Sequence, residues 1–194
     1  LEGATSLLLF PTKALAHDQL RRLRAMAQVL GVEGVFPYDG DTPSATRRQA
    51  RERGLVLLSN PDMLHYGLLP RHPDWAPFLA RLRYVVLDEL HAYRGVFGTH
   101  VALILRRLLR LARPYGASPQ VLAASATFAN AREHAEALTG LPFEEVTAQV
   151  ARTERELLVL LPKPLDRRGE RRRSPLLEAA YLARRLAEAG LKGL

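Results

Sequence analysis

Two adjacent carboxylates and a histidine follow an apolar run near the middle of this 194-residue sequence. The run at residues 84–87 is typical of a buried parallel strand, and Asp88, Glu89 and His91 come after its last residue. Open α/β sheets bind ligands at the carboxyl ends of their strands. At such an edge Asp88 can hold Mg²⁺ through water, and Glu89 can orient a water molecule against the terminal phosphate of a nucleoside triphosphate.

Short apolar runs alternate with longer amphipathic runs over the first 140 residues. The short runs predict strands at residues 6–10, 32–36, 55–59, 84–88 and 120–124. Apolar residues at helical spacing predict helices at residues 14–30, 44–53, 98–113 and 129–138. This alternation is typical of a doubly wound, mainly parallel α/β sheet, so we expect one α/β domain over residues 1–150.

The remaining residues have a different pattern. A strand-like run at residues 154–161 leads into a charged stretch with five arginines at residues 167–173, and a helix is predicted at residues 175–189. The arginines fit either a solvated loop or a contact with a nucleic-acid backbone. We therefore expect residues 151–194 to be a linker and the beginning of a further domain.

Composition excludes several classes of protein. The sequence has no cysteine, which excludes disulfides and thiolate metal sites. No apolar run reaches the roughly 20 residues of a membrane helix, so we expect a cytoplasmic protein with no membrane partner. The formal charge of +8 favours polyanionic partners, although 25 of the 28 basic residues are arginine, which GC-rich coding or a hot habitat would also explain.

Four further segments place hydroxyl, glycine or basic residues directly after a predicted strand. A helix that begins there offers free N–H groups to a phosphate, and the same residues could simply cap the helices or form turns. The four segments are Pro11-Thr12-Lys13, Asp39-Gly40-Asp41-Thr42, Ser59-Asn60-Pro61-Asp62 and Ser125-Ala126-Thr127.

In their order and approximate spacing, these segments and the acidic one resemble the superfamily-two DEAD/DEAH-box helicases. The longer strings around them are similar to the YprA/MrfA-like branch, which is related to the RecQ repair helicases. The resemblance implies a RecA-like P-loop NTPase fold, ATP and Mg²⁺ as cofactors, and three-prime to five-prime movement on DNA, either a single strand or a three-prime-tailed duplex. It does not exclude RNA. Residues 1–150 would be the first RecA-like domain, incomplete at its N-terminus, and the rest would lead to the second in a bacterial cytoplasmic protein.

The resemblance also implies a role for each segment. Asp88, Glu89 and His91 would be catalytic, with Asp88 holding Mg²⁺ through water. Ser125, Ala126 and Thr127 would couple the acidic segment to the nucleic-acid side, with His91 as the hydrogen-bond partner. The remaining segments would bind the nucleic-acid backbone through Pro11, Thr12, Lys13, Asp39, Gly40, Asp41, Thr42, Ser59, Asn60, Pro61 and Asp62.

The family's phosphate-binding string, G-x-x-x-x-G-K-[ST], does not occur in these residues. Two interpretations follow: a fragment of an ATP-dependent DNA repair helicase that works with the remainder of its own chain, or a nucleic-acid-binding remnant without ATPase activity. A metal-dependent hydrolase that also uses His100 is a third interpretation, but the spacing matches no metal motif. No catalytic role is assigned to the other histidines, His17, His65, His72 and His134.

Overall fold

The computed structural model of the chain describes residues 3–126, 129–146 and 174–188. It divides into two compact units, Leu1–Thr147 and Ala148–Leu194. Thr127, the strand predicted at residues 154–161 and the arginine-rich stretch at residues 167–173 lie outside the described residues. The assignment of the units to a first domain and a linker stays a prediction.

Five parallel strands form the sheet of the first unit. They are β1 (Thr5–Leu9), β2 (Val35–Tyr38), β3 (Val56–Ser59), β4 (Leu82–Leu87) and β5 (Gln120–Ala123), in the order β2-β3-β1-β4-β5. Leu9 lies opposite Ser59 on one side and Leu87 on the other, and Leu87 lies opposite Ala123. Because the strands are parallel and end in register, the segments that follow them lie along one edge of the sheet.

Helices of the first unit connect these strands. They are α1 (Lys13–Val29), α2 (Ser44–Arg53), α3 (Pro61–Met63), α4 (Ala76–Ala80), α5 (Gly95–Ala112) and α6 (Ala131–Thr139). A π-helical turn at Leu64–Leu68 and a 3-10 helix at Leu69–Trp75 join α3 to α4. Shorter 3-10 turns lie at Leu90–Ala92 and Arg113–Tyr115.

Both faces of the sheet are covered by apolar residues. Leu7 and Leu57 belong to a large cluster that includes the fully buried Trp75. Their neighbour Leu58 belongs to a second cluster with Leu20 of α1. Because successive residues of a strand point to opposite faces, the two clusters lie on opposite sides of the sheet. This arrangement agrees with the expected doubly wound α/β fold.

Strand β2 begins later than its sequence predicts. It runs over Val35–Tyr38 instead of residues 32–36, and it contains Pro37. Proline lacks an N–H group, but among the described strands β2 is an outer one, paired with β3, and proline is tolerated in an outer strand. Gly34 sets the start of the strand: its φ is +100° and its carbonyl oxygen accepts from the N–H groups of Leu55 and Val56.

The second unit is described over one helix, α7 (Pro175–Glu188). Arg184 and Glu188, one helical turn apart, form an ion pair of 2.9 Å. Leu176 and Tyr181 are exposed to solvent within this unit. Among the described helices of the chain, none has the length and hydropathy to cross a membrane.

Candidate functional site

Asp88 lies at the carboxyl end of β4, beside the end of β1. Its N–H donates to the carbonyl oxygen of Leu9 at 3.0 Å, which extends the pairing of the two strands by one residue. Its Oδ1 accepts from the N–H of Glu89 at 3.0 Å. No hydrogen bond or ion pair with a described residue uses Oδ2, and the side chain is half-buried. Asp88 is thus fixed in position with one carboxylate oxygen open to a ligand.

Glu89 has a left-handed backbone, with φ of 51° and ψ of 48°. This conformation costs a non-glycine residue about 1–2 kcal/mol, and neighbouring hydrogen bonds offset it. The N–H of Leu90 donates to Ala124 at 2.9 Å, and the N–H of Ala92 donates to the carbonyl oxygen of Glu89 at 2.8 Å. The chain therefore turns sharply at the end of β4, as it does at many functional sites.

His91 contacts both the acidic segment and the segment after β5. Its Nδ1 lies 3.3 Å from Oε2 of Glu89 and 3.0 Å from Oγ of Ser125. Its backbone N–H also donates to Oγ of Ser125, at 3.3 Å. The structure thus brings together His91 and Ser125, as the sequence predicts. Of the other two predicted coupling residues, Ala126 follows Ser125 directly and Thr127 lies outside the described residues.

Tyr93 supports the acidic segment from the protein interior, and no role was predicted for it from the sequence. Its ring is fully buried, and its hydroxyl donates to the carbonyl oxygen of Leu9 at 3.2 Å. Burial raises the pKa of Tyr93 far above its ordinary value, and the charges of Asp88 and Glu89 raise it further. The hydroxyl therefore stays protonated and ties the turn after β4 to the end of β1.

Thr12 and Lys13 begin α1 at the next position along the sheet edge. Oγ1 of Thr12 accepts from the N–H of Leu15 at 3.4 Å, so Thr12 caps the helix. Nζ of Lys13 forms an ion pair of 3.0 Å with Oδ2 of Asp41, and both side chains are well exposed. Pro11 precedes the cap. Two of the predicted nucleic-acid-binding segments are therefore joined by a solvent-accessible ion pair.

Asp39 organises the turn after β2. Its carboxylate accepts from the N–H of Asp41 at 2.9 Å and the hydroxyl of Thr42 at 2.9 Å, and its Oδ2 lies 2.7 Å from Nε2 of His17. Asp39 and Thr42 are buried. Burial alone would raise the pKa of Asp39, but the hydrogen bonds from His17, Thr42 and Asp41 together lower it below its ordinary value. Asp39 therefore shapes the turn from inside.

Arg47 of α2 holds the same turn and was missed in the sequence analysis. Its guanidinium donates to the carbonyl oxygens of Thr42 at 2.8 Å, Asp39 at 2.9 Å and Gly40 at 3.0 Å. Arg47 follows these partners by five to eight residues, and it is one of several arginines in α2. Nothing in its sequence position distinguishes it from Arg48 or Arg51, so only the fold reveals its role.

Ser59 and Asn60 form the corresponding turn after β3. Ser59 is buried, and its hydroxyl donates to the carbonyl oxygen of Tyr38 at 2.6 Å. Oδ1 of Asn60 accepts from the N–H of Met63 at 2.8 Å, which caps α3, and Pro61 takes the first helical position. Asp62 is exposed. The Ser59 and Asn60 side chains are thus used to shape the turn, as the capping interpretation proposed.

The donor set at this edge suits a hard cation that keeps most of its water. In the described ranges no group of three or more His, Cys, Asp or Glu side chains is placed to hold a metal ion. Mg²⁺ is commonly bound by one or two carboxylates, with water and substrate phosphate oxygens completing its coordination. Asp88 fits that mode of binding. A protein-only metal site with His100, the third interpretation of the sequence, finds no support in this part of the chain.

Comparison with known proteins gives the family. The DEAD/DEAH box helicase family model matches residues 1–135. The chain is 44% identical over 185 residues to the uncharacterized ATP-dependent helicase YprA of Bacillus subtilis, covering 94% of this chain and 25% of that protein. It is 41% identical over 149 residues to the ATP-dependent helicase HRQ1 of Saccharomyces cerevisiae, covering 74% of this chain and 14% of that protein.

Comparison with solved structures gives the same family. The DUF1998 helicase MrfA bound to DNA and AMPPNP superposes with a TM-score of 0.85 at 43% identity, covering 96% of this chain and 26% of that one. Mss116p bound to ssRNA and AMP-PNP shares the fold, with a TM-score of 0.59 at 18% identity over 70% of this chain and 28% of that one. The chain spans about a quarter of the length of YprA and MrfA. The expected RecA-like fold and YprA/MrfA-like resemblance are confirmed, and the chain belongs to the DEAD/DEAH box helicase family.

Proposed function

We propose that this chain forms the greater part of the first motor domain of an ATP-dependent DNA helicase. The observation that carries the proposal is the placement of Asp88, Glu89, His91 and Ser125 on the same sheet edge as the turns after β1, β2 and β3. One end of that edge offers carboxylates for nucleotide chemistry, and the other offers helix beginnings and turns for a strand. A single rigid sheet can then link hydrolysis to strand binding.

At the nucleotide end, each residue has a separate task. Asp88 would hold Mg²⁺ through water, and the ion would supply positive charge to the phosphate oxygens of ATP. Glu89, whose side chain is partly exposed, would orient the attacking water. His91 contacts Glu89 at 3.3 Å and Ser125 at 3.0 Å, so a change in the position of Glu89 would move His91 and with it Ser125. The phosphate-binding loop would come from residues of the protein other than these 194.

At the strand end, we propose that the backbone is held by the segments at residues 11–13, 39–42 and 59–62. The uncovered N–H groups at the beginning of α1 point to a phosphate contact beside Lys13. Sugar and phosphate contacts of this kind serve DNA and RNA alike. The choice of DNA follows the relative MrfA, whose solved structure holds DNA. Three-prime to five-prime movement on a single strand or three-prime-tailed duplex, a role in DNA repair and a cytoplasmic location rest on the family resemblance.

The test is DNA-stimulated ATP hydrolysis by the protein expressed with the coding sequence that flanks these residues. We expect Glu89→Gln to lower the stimulated rate about 100-fold or more, because the amide cannot orient and polarise water as the carboxylate does. Glu52→Gln, the same change on the exposed face of α2, is the control and should retain the wild-type rate. ATPase activity that survives Glu89→Gln would reject the role assigned to Glu89.

The alternative function, a nucleic-acid-binding remnant, predicts a different result in the same assay. Single-stranded DNA would bind, but no ATP would be hydrolysed with or without DNA, even when the flanking coding sequence is included. The observation that favours this alternative is that the phosphate-binding string does not occur in these 194 residues. A G-x-x-x-x-G-K-[ST] string in the flanking sequence would favour the helicase.

A further inference from the structure

A groove of about 460 Å³ lies between the π-helical turn and α5. Its polar and aromatic lining is contributed by Asp62, His65, Tyr66, Phe97, His100 and Arg107, and its other lining residues are aliphatic or proline. None of these residues except Asp62 has a role in the proposed nucleotide or strand sites. The groove begins where the Ser59-Asn60-Pro61-Asp62 segment ends, since Asp62 belongs to both.

Two aromatic side chains at this groove are exposed to solvent. Tyr66 is 76% exposed and Phe97 is 39% exposed, whereas Trp75, Tyr93 and Phe78 are buried in the core. Exposed large aromatics gathered at one groove are typical of a surface that contacts a ligand. Tyr66 also packs edge-on against His65, with ring centroids 4.6 Å apart, which limits the positions its ring can take.

The charged groups of the groove favour an anionic ligand with aromatic parts. Arg107 forms no hydrogen bond or ion pair with another described residue, and it lines the groove together with His100. Nδ1 of His65 is buried without a hydrogen-bond partner among the described residues. Asp62 is the single acidic residue among the lining residues. A nucleotide combines a flat base, which stacks on aromatic rings, with a phosphate, which pairs with arginine.

We propose that this groove takes a nucleobase from the single strand that the neighbouring segment binds. The base stacks on Tyr66, Phe97 closes the opposite side of the groove, and Arg107 neutralises the adjacent phosphate. This inference rests on the proposed strand-binding function and adds a contact to the base. Because every base has an aromatic face, the contact grips the strand without selecting its sequence.

The test measures binding of a fluorescent oligothymidylate to the protein expressed with its flanking coding sequence, by fluorescence anisotropy. Tyr66→Ala is expected to weaken binding about 5-fold to about 100-fold, the range that one base–aromatic stack contributes. Tyr66→Phe keeps the ring and should bind like the wild type. Tyr181→Ala removes another exposed tyrosine, on α7, and is the control, with unchanged affinity expected.

A second oligonucleotide separates stacking from a general loss of structure. Tyr66→Ala should not change the affinity for an oligonucleotide of the same length whose bases have been replaced by abasic sites, because the backbone contacts remain. Equal weakening for both oligonucleotides would overturn the proposal. Unchanged affinity of Tyr66→Ala for oligothymidylate would overturn it as well.

Photocrosslinking identifies the occupant directly. An oligonucleotide that carries 5-iodouracil should crosslink to Tyr66 or Phe97. A crosslinkable amino acid placed at Tyr66 that instead captures a peptide of the same chain would assign the groove to a protein contact and refute the proposal. DNA-stimulated ATPase activity, measured in parallel, keeps the two ideas apart. If DNA stimulates the ATPase normally but the effect of Tyr66→Ala on binding does not depend on the bases, only this inference is wrong. If DNA does not stimulate the ATPase, the proposed function is wrong.

Discussion

Replacement of Asp39 by alanine should destabilise the protein because it removes the acceptor of three hydrogen bonds. Its carboxylate receives hydrogen bonds from His17, Thr42 and the N–H of Asp41, all between 2.7 and 2.9 Å. Asp39 is only 3% exposed. Alanine would leave all three partners without their acceptor. Thr42 is too deeply buried for a water molecule to replace the lost carboxylate freely.

The magnitude follows from these three hydrogen bonds. A typical hydrogen bond contributes about 1 kcal/mol once the competition with water is included, and a bond to a charged group contributes more, so the loss of three in Asp39→Ala should cost about 3–4 kcal/mol. Asp39→Asn keeps the shape and can still accept from Thr42 and Asp41, so it should cost about 1–2 kcal/mol. Asp18→Ala removes an exposed carboxylate that pairs with two arginines of α1, and as the control it should cost less than about 0.5 kcal/mol.

Urea unfolding measures these costs, with fluorescence of Trp75 as the signal. Trp75 is the single tryptophan of the chain, it is fully buried, and its ring lies 4.8 Å from that of Tyr38, the residue before Asp39. With a urea dependence of about 2 kcal/mol per molar, Asp39→Ala should lower the midpoint by about 1.5–2 M. A midpoint within about 0.25 M of the wild type would refute the reasoning.

The dependence on pH gives the same prediction a second check. The pKa of Asp39 is lowered in the folded chain, so its contribution is complete above its ordinary value of 3.8 and declines as the pH falls through the folded value. The difference in unfolding free energy between wild type and Asp39→Asn should therefore be constant at neutral pH and shrink under strongly acidic conditions. A difference that grows on acidification would contradict the assignment of Asp39 as a charged acceptor.

Three further changes test other parts of the structure. Glu89→Gln should leave the unfolding free energy within about 0.5 kcal/mol of the wild type while ATPase activity is lost, because the Glu89 side chain is partly exposed and glutamine has nearly the same shape. Ser125→Ala removes two hydrogen bonds to the acidic segment and should reduce stimulation of the ATPase by DNA more than the rate without DNA. Gly34→Ala should cost about 2 kcal/mol or more in thermal unfolding, since its φ is +100° and a Cβ would lie 2.8 Å from the carbonyl oxygen of Arg53, whereas Gly31→Ala, with positive φ in open space, should cost about 1 kcal/mol.

Each of these changes has an outcome that would count against it. A large loss of stability in Glu89→Gln would mean that its ATPase defect reports misfolding and not chemistry. Equal effects of Ser125→Ala on the ATPase rate with and without DNA would reject a coupling role. Equal costs for Gly34→Ala and Gly31→Ala would show that the contact with Arg53 contributes nothing beyond the positive φ.

The strands of the sheet could be predicted from the sequence because each is a short run rich in apolar residues. β1, β3, β4 and β5 lie within two residues of the predicted ranges, and α2 lies at the predicted residues. The helical segment between Pro61 and Ala80 was not predicted. Prolines and a glycine interrupt its helical spacing, and it changes from α to π to 3-10 geometry along its length. Its side chains include Trp75, so tertiary packing holds this segment together where local propensity would not.

The candidate site could be located from sequence, but its supporting contacts could not. Asp88, Glu89 and Ser125 follow strands, and a parallel sheet brings strand ends together. His17, in contrast, reaches Asp39 across 22 residues from the middle of a helix, and it carried no signal in its own neighbourhood. Arg47 is likewise one arginine among several in α2. Long-range pairing of side chains depends on how helices lie over the sheet, which a single sequence does not specify.

The two outer strands of the described sheet offer different surfaces to other molecules of the same protein. β2 has four residues, one of them Pro37, which cannot donate a hydrogen bond to an added strand. β5 has no proline, and Leu122 is 43% exposed. Where β5 is left uncovered, aggregation by strand addition would therefore begin there, and solubility would depend on what shields that strand.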